Sequence, residues 1–373
     1  MIKVLFLIHD LGQGGAEKVL VNLVNNMDQS KFDITVISLF GGGVNEQFLK
    51  ETVRYKTIFK KTFPGNSKIM KLFSPKLLHK LFVKDTYDIE VSYLEGPSAR
   101  IISGCPNEDT KLVSWIHVEQ HSMKKLAASF RNSAEAKECY NRFHQTICVS
   151  EFVKDDFTSL LEYEKPIRVL YNTVDSEQIL LQGAEEQHEI SKKDGINLVA
   201  VGTLKESKGY MRLLHIINRL VKERYDIHLY ILGIGPLEVE MKKYIDENML
   251  SNHITLLGYK INPYKYVKAC DLLVCASWAE GFSTAVTEAL ILGVPVCTVD
   301  VSGMRELLGS NNEFGVVTHN DAQALYEGIK IFLEEEQFLK TYKEKAKERG
   351  EAFSKKNTVE AIKKMLLSLN NGD

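Results

Sequence analysis

Two glutamates stand with seven residues between them in WAEGFSTAVTEALILGVPV (278–296). Glu280 precedes Gly281 in a turn, whereas Glu288 falls inside an apolar run of helical character. Ser283 or Thr284 can cap a helix that runs to Ile291 or Leu292. The backbone N–H groups of Phe282, Ser283 and Thr284 then lack partners within the helix, which makes an anion site. Glu280, in the turn beside it, can accept hydrogen bonds from sugar hydroxyls. Glu288, about one turn into the helix, can accept two from the vicinal hydroxyls of a ribose. A simpler account treats Glu280 as favouring the helix dipole and Glu288 as a partly exposed side chain. The two carboxylates by themselves favour that simpler account.

The elements that must position these residues alternate along the chain. IKVLFLI (2–8), DITVISL (33–39), DIEVSYL (88–94), KLVSWI (111–116) and QTICVS (145–150) read as buried parallel strands separated by helix-length segments. INLVAVG (196–202), IHLYILG (227–233), HITLLG (253–258), DLLVCAS (271–277) and VPVCTV (294–299) repeat the pattern. Such alternation predicts an α/β protein with parallel sheets. Two series in 373 residues predict two doubly wound domains. A hinge is expected within 169–195, and the helical segment 357–369 is expected to return to the first domain.

Three strand ends carry glycines before a helix. IHDLGQGGAEKVLVNLV (8–24) has the pattern Gly12-x-Gly14-x-x-Glu17, which misses the third glycine of a dinucleotide fingerprint. It reads equally as a tight turn or as a phosphate loop. VGTLKESKGYMRLL (201–214) brings Lys205 and Lys208 to a helix start, a suitable pyrophosphate site. Taken alone, two solvated lysines explain it more simply. GIGPLEVEMKK (233–243) places Gly233 at a third strand end, where ligands of such sheets collect.

Composition removes several classes. Hydrophobic residues make up 44% and charged residues 26%, as in a water-soluble globular protein. A net charge of −2 gives no reason to expect nucleic acid. The first apolar run, VLFLI (4–8), is too short for a signal peptide or a membrane span. The six cysteines include no CxxC pair and read as reduced thiols rather than disulfides or a zinc site. Segment 53–84 holds nine Lys or Arg and no Asp or Glu, interleaved with Phe59, Phe63, Phe73 and Phe82. Much of it reads as a basic amphipathic helix suited to a membrane surface. Packing of its apolar stripe on the first domain is the competing account.

EGFSTAVTEALILGVPV resembles the E-x7-E signature of the retaining glycosyltransferases of family 4, which have the two-Rossmann GT-B fold. GGAEKVLVNL, WIHVE, CVSEFVKDDF, VLYNTVD, VGTLKESKG and ILGIGP agree with that family in order and spacing, so the resemblance runs from about residue 4 to residue 308. It implies two Rossmann-like domains facing a cleft, divided as 1–172 (acceptor side), 173–352 (nucleotide-sugar side) and a returning helix in 353–373. It also implies transfer of a hexosyl or N-acetylhexosaminyl group from a UDP- or GDP-linked sugar, used as substrate, to a glycan acceptor. His117 would contact the donor sugar and Glu280 would hold its hydroxyls. Lys208, Lys205 and the amides near Gly15 and Phe282 would stabilise the leaving diphosphate. Gly233, Ser283, Thr284 and Glu288 would complete the donor site.

The family usually has arginine where this chain has Thr203, so Lys205 is expected to stand in for it, although the two cations differ at a phosphate. The chain contains no Asp-x-Asp motif, and no catalytic metal or cofactor is expected. The basic segment suits a lipid-linked acceptor in surface-polysaccharide synthesis, at the cytoplasmic face of the cell membrane. A sugar phosphorylase, a nucleotide-sugar epimerase and a non-catalytic sugar-nucleotide-binding subunit remain as alternatives.

Overall fold

The computed structural model describes residues 1–12, 15–161, 163, 165–190, 195–280 and 282–371. Gly14, Gly281 and the 191–194 end of the expected hinge therefore lie outside the described residues. The chain forms two compact units, Met1–Val174 with Lys355–Asp373, and Asp175–Ser354.

The first unit holds β1 (Ile2–Ile8), β2 (Phe32–Phe40), β3 (Arg54–Phe59), β4 (Ile89–Tyr93), β5 (Lys111–Ile116), β6 (Gln145–Cys148) and β7 (Ile167–Val169). They make one parallel sheet in the order β3-β2-β1-β4-β5-β6-β7. The order reverses beside β1, as in doubly wound sheets. β1 and β4 sit at the centre and are almost wholly buried, because helices cover both faces of such a sheet. Val4, Leu5, Phe6, Leu7, Val91 and Tyr93 are fully buried. The last helix, Lys355–Asn371, belongs to this unit and buries Val359, Ile362, Met365 and Leu366.

The second unit holds β8 (Ile196–Val201), β9 (Ile227–Leu232), β10 (Ile254–Gly258), β11 (Leu272–Cys275), β12 (Val296–Val299) and β13 (Val316–Thr318). Its parallel sheet runs β10-β9-β8-β11-β12-β13, with the reversal beside β8.

Ten strands fall where the periodicity predicts them. β3, β7 and β13 do not, and all three are sheet edges. An edge strand pairs on one side only, so it can be short or carry polar side chains. β3 reads RYKTIF, with Arg54 bonded to Asp33 at 2.8 Å and Lys56 to Asp85 at 2.6 Å.

β3 also corrects the reading of 53–84 as largely one basic helix. Its first part is a strand, and two short helices follow, Asn66–Leu72 and Pro75–Phe82. Pro75 lacks the N–H that a continuing helix requires, and Ser74 caps the second helix instead. That second helix is pinned to the sheet by a buried polar cluster. His79 Nε2 lies 2.8 Å from Glu90 Oε2 on β4, with the Cys105 thiol 3.8 Å from the other carboxylate oxygen. None of the six cysteines is disulfide-bonded.

Candidate active site

In the second unit, three connections at the carboxyl ends of β8, β9 and β11 interlock. The β8 connection runs through Gly202 to a single 3-10 turn, Glu206–Lys208, and then to the helix Tyr210–Lys222. Gly209 joins these two with φ of +66°, and a Cβ there would stand 1.9 Å from the Ala276 carbonyl. Gly233, with φ of +142°, meets the Gly202 carbonyl equally closely at 1.9 Å. Neither position admits a side chain, so glycine is what lets the three loops come together. Backbone bonds from Trp278 to Ser207 (2.8 Å) and from Leu204 to Ile234 (3.0 Å) hold them in register.

This packing brings Lys208 and Glu280 into contact. Lys208 Nζ lies 2.5 Å from Glu280 Oε1, and both side chains are largely buried. Ser277 Oγ donates to the same oxygen at 2.7 Å. Behind the turn, the buried guanidinium of Arg212 donates to the carbonyls of Ala276 and of Ser277 (3.2 Å) and to Asn320 Oδ1 (2.8 Å). It also stacks 3.8 Å over the half-exposed Trp278 ring. Arg212 thereby fixes the backbone from which Glu280 projects.

Ser283 caps the following helix, Thr284–Ile291, accepting from the N–H of Val286. Phe282 turns its ring into the core, 6.0 Å from Phe353. Glu288 is partly exposed on this helix and accepts from the Tyr264 hydroxyl at 3.2 Å. Lys205 is exposed, as is Thr203.

Gly15 and His117 belong to the first unit. Gly15 opens the helix Gly15–Asn26, just after a loop in which Asp10 Oδ1 accepts the Gly12 N–H at 2.7 Å. His117 follows β5 and is buried against Tyr93, with ring centroids 4.7 Å apart. Burial holds its imidazole far down, at about 3, so the ring is neutral at ordinary pH. Its Nε2 has no hydrogen-bond partner among the described residues.

Ser277, Arg212 and Tyr264 went unrecognised in the sequence. A serine two residues past a strand and an arginine on a helix carry no local signal. The approach of β8 and β11 reveals Arg212, the fold of the β11 connection reveals Ser277, and the helix Tyr264–Ala269 beside Thr284–Ile291 reveals Tyr264.

A model described as Glycosyltransferase Family 4 matches residues 13–178, and one described as Glycosyl transferases group 1 matches residues 183–349. The N-acetylgalactosamine-N,N'-diacetylbacillosaminyl-diphospho-undecaprenol 4-alpha-N-acetylgalactosaminyltransferase of Campylobacter jejuni is 30% identical over 374 residues, covering 98% of this chain and 100% of the relative. Among solved structures, Anabaena HepE in complex with UDP aligns with a TM-score of 0.76 at 19% identity, covering 98% of this chain and 100% of that one. A glycosyltransferase from Rickettsia africae aligns with a TM-score of 0.78 at 16% identity, covering 99% and 98%. The two sheets and the loops at their carboxyl ends define a GT-B protein. The chain belongs to the family 4 glycosyltransferases.

Proposed function

We propose that the protein moves a hexosyl or N-acetylhexosaminyl group from a UDP- or GDP-linked sugar to a lipid-linked glycan, with retention and without a metal, in surface-polysaccharide synthesis. The observation that carries this reading is the meeting of Lys208 and Glu280 where β8 and β11 end. A cation and a carboxylate are thereby poised side by side at a helix start, which suits a sugar diphosphate. Lys208 moves to the diphosphate and neutralises charge that grows as the glycosidic bond breaks. Glu280 keeps the Ser277 bond and accepts from sugar hydroxyls. Glu288 accepts from the ribose. Lys205 contributes a second cation in place of the arginine missing at Thr203. Neutral His117 contacts the donor sugar, and attack and departure share one face, so Glu280 is no nucleophile. A relative named for an undecaprenol-linked substrate supports the lipid-linked acceptor.

No helix among the described residues is long and apolar enough to cross a membrane. The reading therefore places the protein at the inner membrane face through peripheral contact. The helices Asn66–Leu72 and Pro75–Phe82 support it. They expose Ile69, Leu72, Leu77 and Leu81 beside Lys68, Lys76 and Lys80. Apolar side chains among lysines suit an anionic bilayer.

The test is transfer measured by mass spectrometry. Purified protein is incubated with UDP- and GDP-sugars and polyprenyl-diphosphate-linked acceptors, with excess EDTA or with magnesium. One donor should yield an extended, retained glycan at equal rates in both conditions. An epimerised donor, binding without turnover, or loss restored only by metal would each overturn the corresponding part.

A further inference from the structure

The segment that carries His117 has no regular structure of its own. β5 ends at Ile116, and residues 117–121 continue without helix or strand. Two carboxylates from other elements hold this segment instead. One oxygen of Glu95, two residues past β4, accepts the backbone N–H of His117 and, at 2.8 Å, that of Val118. Asp156, on the helix Glu151–Leu161, accepts from Gln120 at 2.6 Å and from His121 at 3.0 Å. His121 sits at φ of +57°, a left-handed conformation that costs a non-glycine residue on the order of 1 kcal/mol. The segment is thus held against its local preference.

We propose that Glu95 is a positioning residue for His117, with Asp156 anchoring the far end of the same segment. The inference rests on the reading in which His117 touches the donor sugar. By taking the N–H groups of His117 and Val118, Glu95 fixes the backbone from which the imidazole projects. The His117 ring itself packs on Tyr93 and Trp115. Reacting groups tolerate little displacement, and a shift of about 1 Å can cost on the order of a hundredfold in rate. Burial raises the Glu95 carboxyl above its usual range, while the donated backbone N–H groups work in the opposite direction.

The test compares wild type with Glu95→Gln, Glu95→Asp, Glu95→Ala, His117→Ala and the Glu95→Ala/His117→Ala pair. Turnover, donor KM, melting temperature and affinity for UDP (GDP if the donor screen selects it) are measured for each. A glutamine carbonyl reaches both N–H groups, so Glu95→Gln should stay within about threefold of wild-type kcat. Aspartate keeps the charge but is too short, so Glu95→Asp and Glu95→Ala should each lose on the order of tenfold or more. Nucleotide affinity should not change. The double variant should be no slower than His117→Ala, because Glu95 acts through that residue.

If Glu95→Ala does not fold, the order of glutamine over aspartate decides. The reverse order would show that only the charge matters and would overturn the inference. So would multiplicative losses in the double variant, or unchanged kcat in Glu95→Asp. Full turnover by His117→Ala would remove the role of His117 itself, and the positioning inference with it.

Discussion

The ammonium of Lys208 and the hydroxyl of Ser277 meet at a single oxygen of Glu280, at 2.5 and 2.7 Å. Lys208 and Glu280 stand 72 positions apart in the chain. Each is the other's counter-charge. Under the proposed function, a donor would exchange this pairing for two contacts, cation to phosphate and carboxylate to hydroxyl. Charged side chains in so enclosed a place are costly to leave alone, and the pairing keeps each partnered before the donor arrives.

Lys208→Ala should slow turnover at saturating donor by about a hundred- to a thousandfold, corresponding to ~2.7–4 kcal/mol of lost transition-state stabilisation by analogy with oxyanion donors. Lys205→Ala should cost less, but more than about tenfold, if Lys205 replaces the arginine absent at Thr203. Thr203→Arg should then restore part of that loss, because a guanidinium can reach the same oxygens with two bonds. A silent Lys205→Ala together with an ineffective Thr203→Arg would rule out the substitution and leave Lys208 with the backbone amides.

Glu288→Ala should weaken binding of the free nucleoside diphosphate by ~1.5–3 kcal/mol, the worth of a charge-assisted hydrogen bond. Calorimetric titration reads this directly, and an unchanged dissociation constant would falsify the ribose assignment. Glu280→Ala should leave that affinity nearly intact and lower turnover of the intact sugar nucleotide. Equal loss on both ligands would instead make Glu280 a support for the turn.

Two buried histidines should make stability depend on pH in opposite ways. Burial alone would lower the pKa of His79, but its hydrogen bonds to Cys105 and Glu90 and the Glu90 charge prevail and raise it from 6.5 to about 9. The folded protein thus holds that proton more tightly than the unfolded chain. The contribution is complete below about 6.5 and is lost as the pH rises through about 9. His117 has the opposite shift, from 6.5 down to about 3, so its stabilising contribution fades as the pH falls from about 6.5 toward 3. The melting temperature of His79→Gln should therefore change less than that of wild type between pH 7 and 9. Parallel curves over that range would mean that the His79–Glu90 pair is not charged as described.

Replacing Leu72 and Leu77 by aspartate should abolish sedimentation with vesicles rich in phosphatidylglycerol while leaving the fold intact. Both side chains are exposed, by 75% and 41%, so their loss should barely move the melting temperature. Neutral vesicles should bind wild type weakly, because each lysine near an anionic surface adds roughly 1 kcal/mol. Equal binding to neutral and anionic vesicles, or wild-type binding by the double variant, would exclude these two helices as the membrane contact.

The sequence by itself determined ten of the strands, because their short apolar runs between helix-length segments announce themselves. It also marked the glycine-bearing ends of β1, β8 and β9, and the pair Glu280 and Glu288, because both lie within one short turn and helix. Three of the four sheet edges, β3, β7 and β13, left no such mark. β3 carries Arg54 and Lys56 outward, and one-sided pairing lets an edge strand look like a polar or basic stretch. That is why 53–84 resembles a single basic helix until β2 claims its first six-residue strand. The tertiary structure alone decided which groups touch. Lys208 reaches Glu280, and Arg212 the carbonyls of Ala276 and Ser277, only because the pairing of β8 with β11 brings their carboxyl ends together from distant positions. Tyr264 reaches Glu288 from the helix Tyr264–Ala269. Likewise, Glu95 and Asp156 reach the His117 segment only through the pairing of β4 with β5 and the packing of the helix Glu151–Leu161. Local pattern reports on a residue's own burial and turn, whereas a hydrogen bond between residues tens of positions apart exists only once the chain has folded.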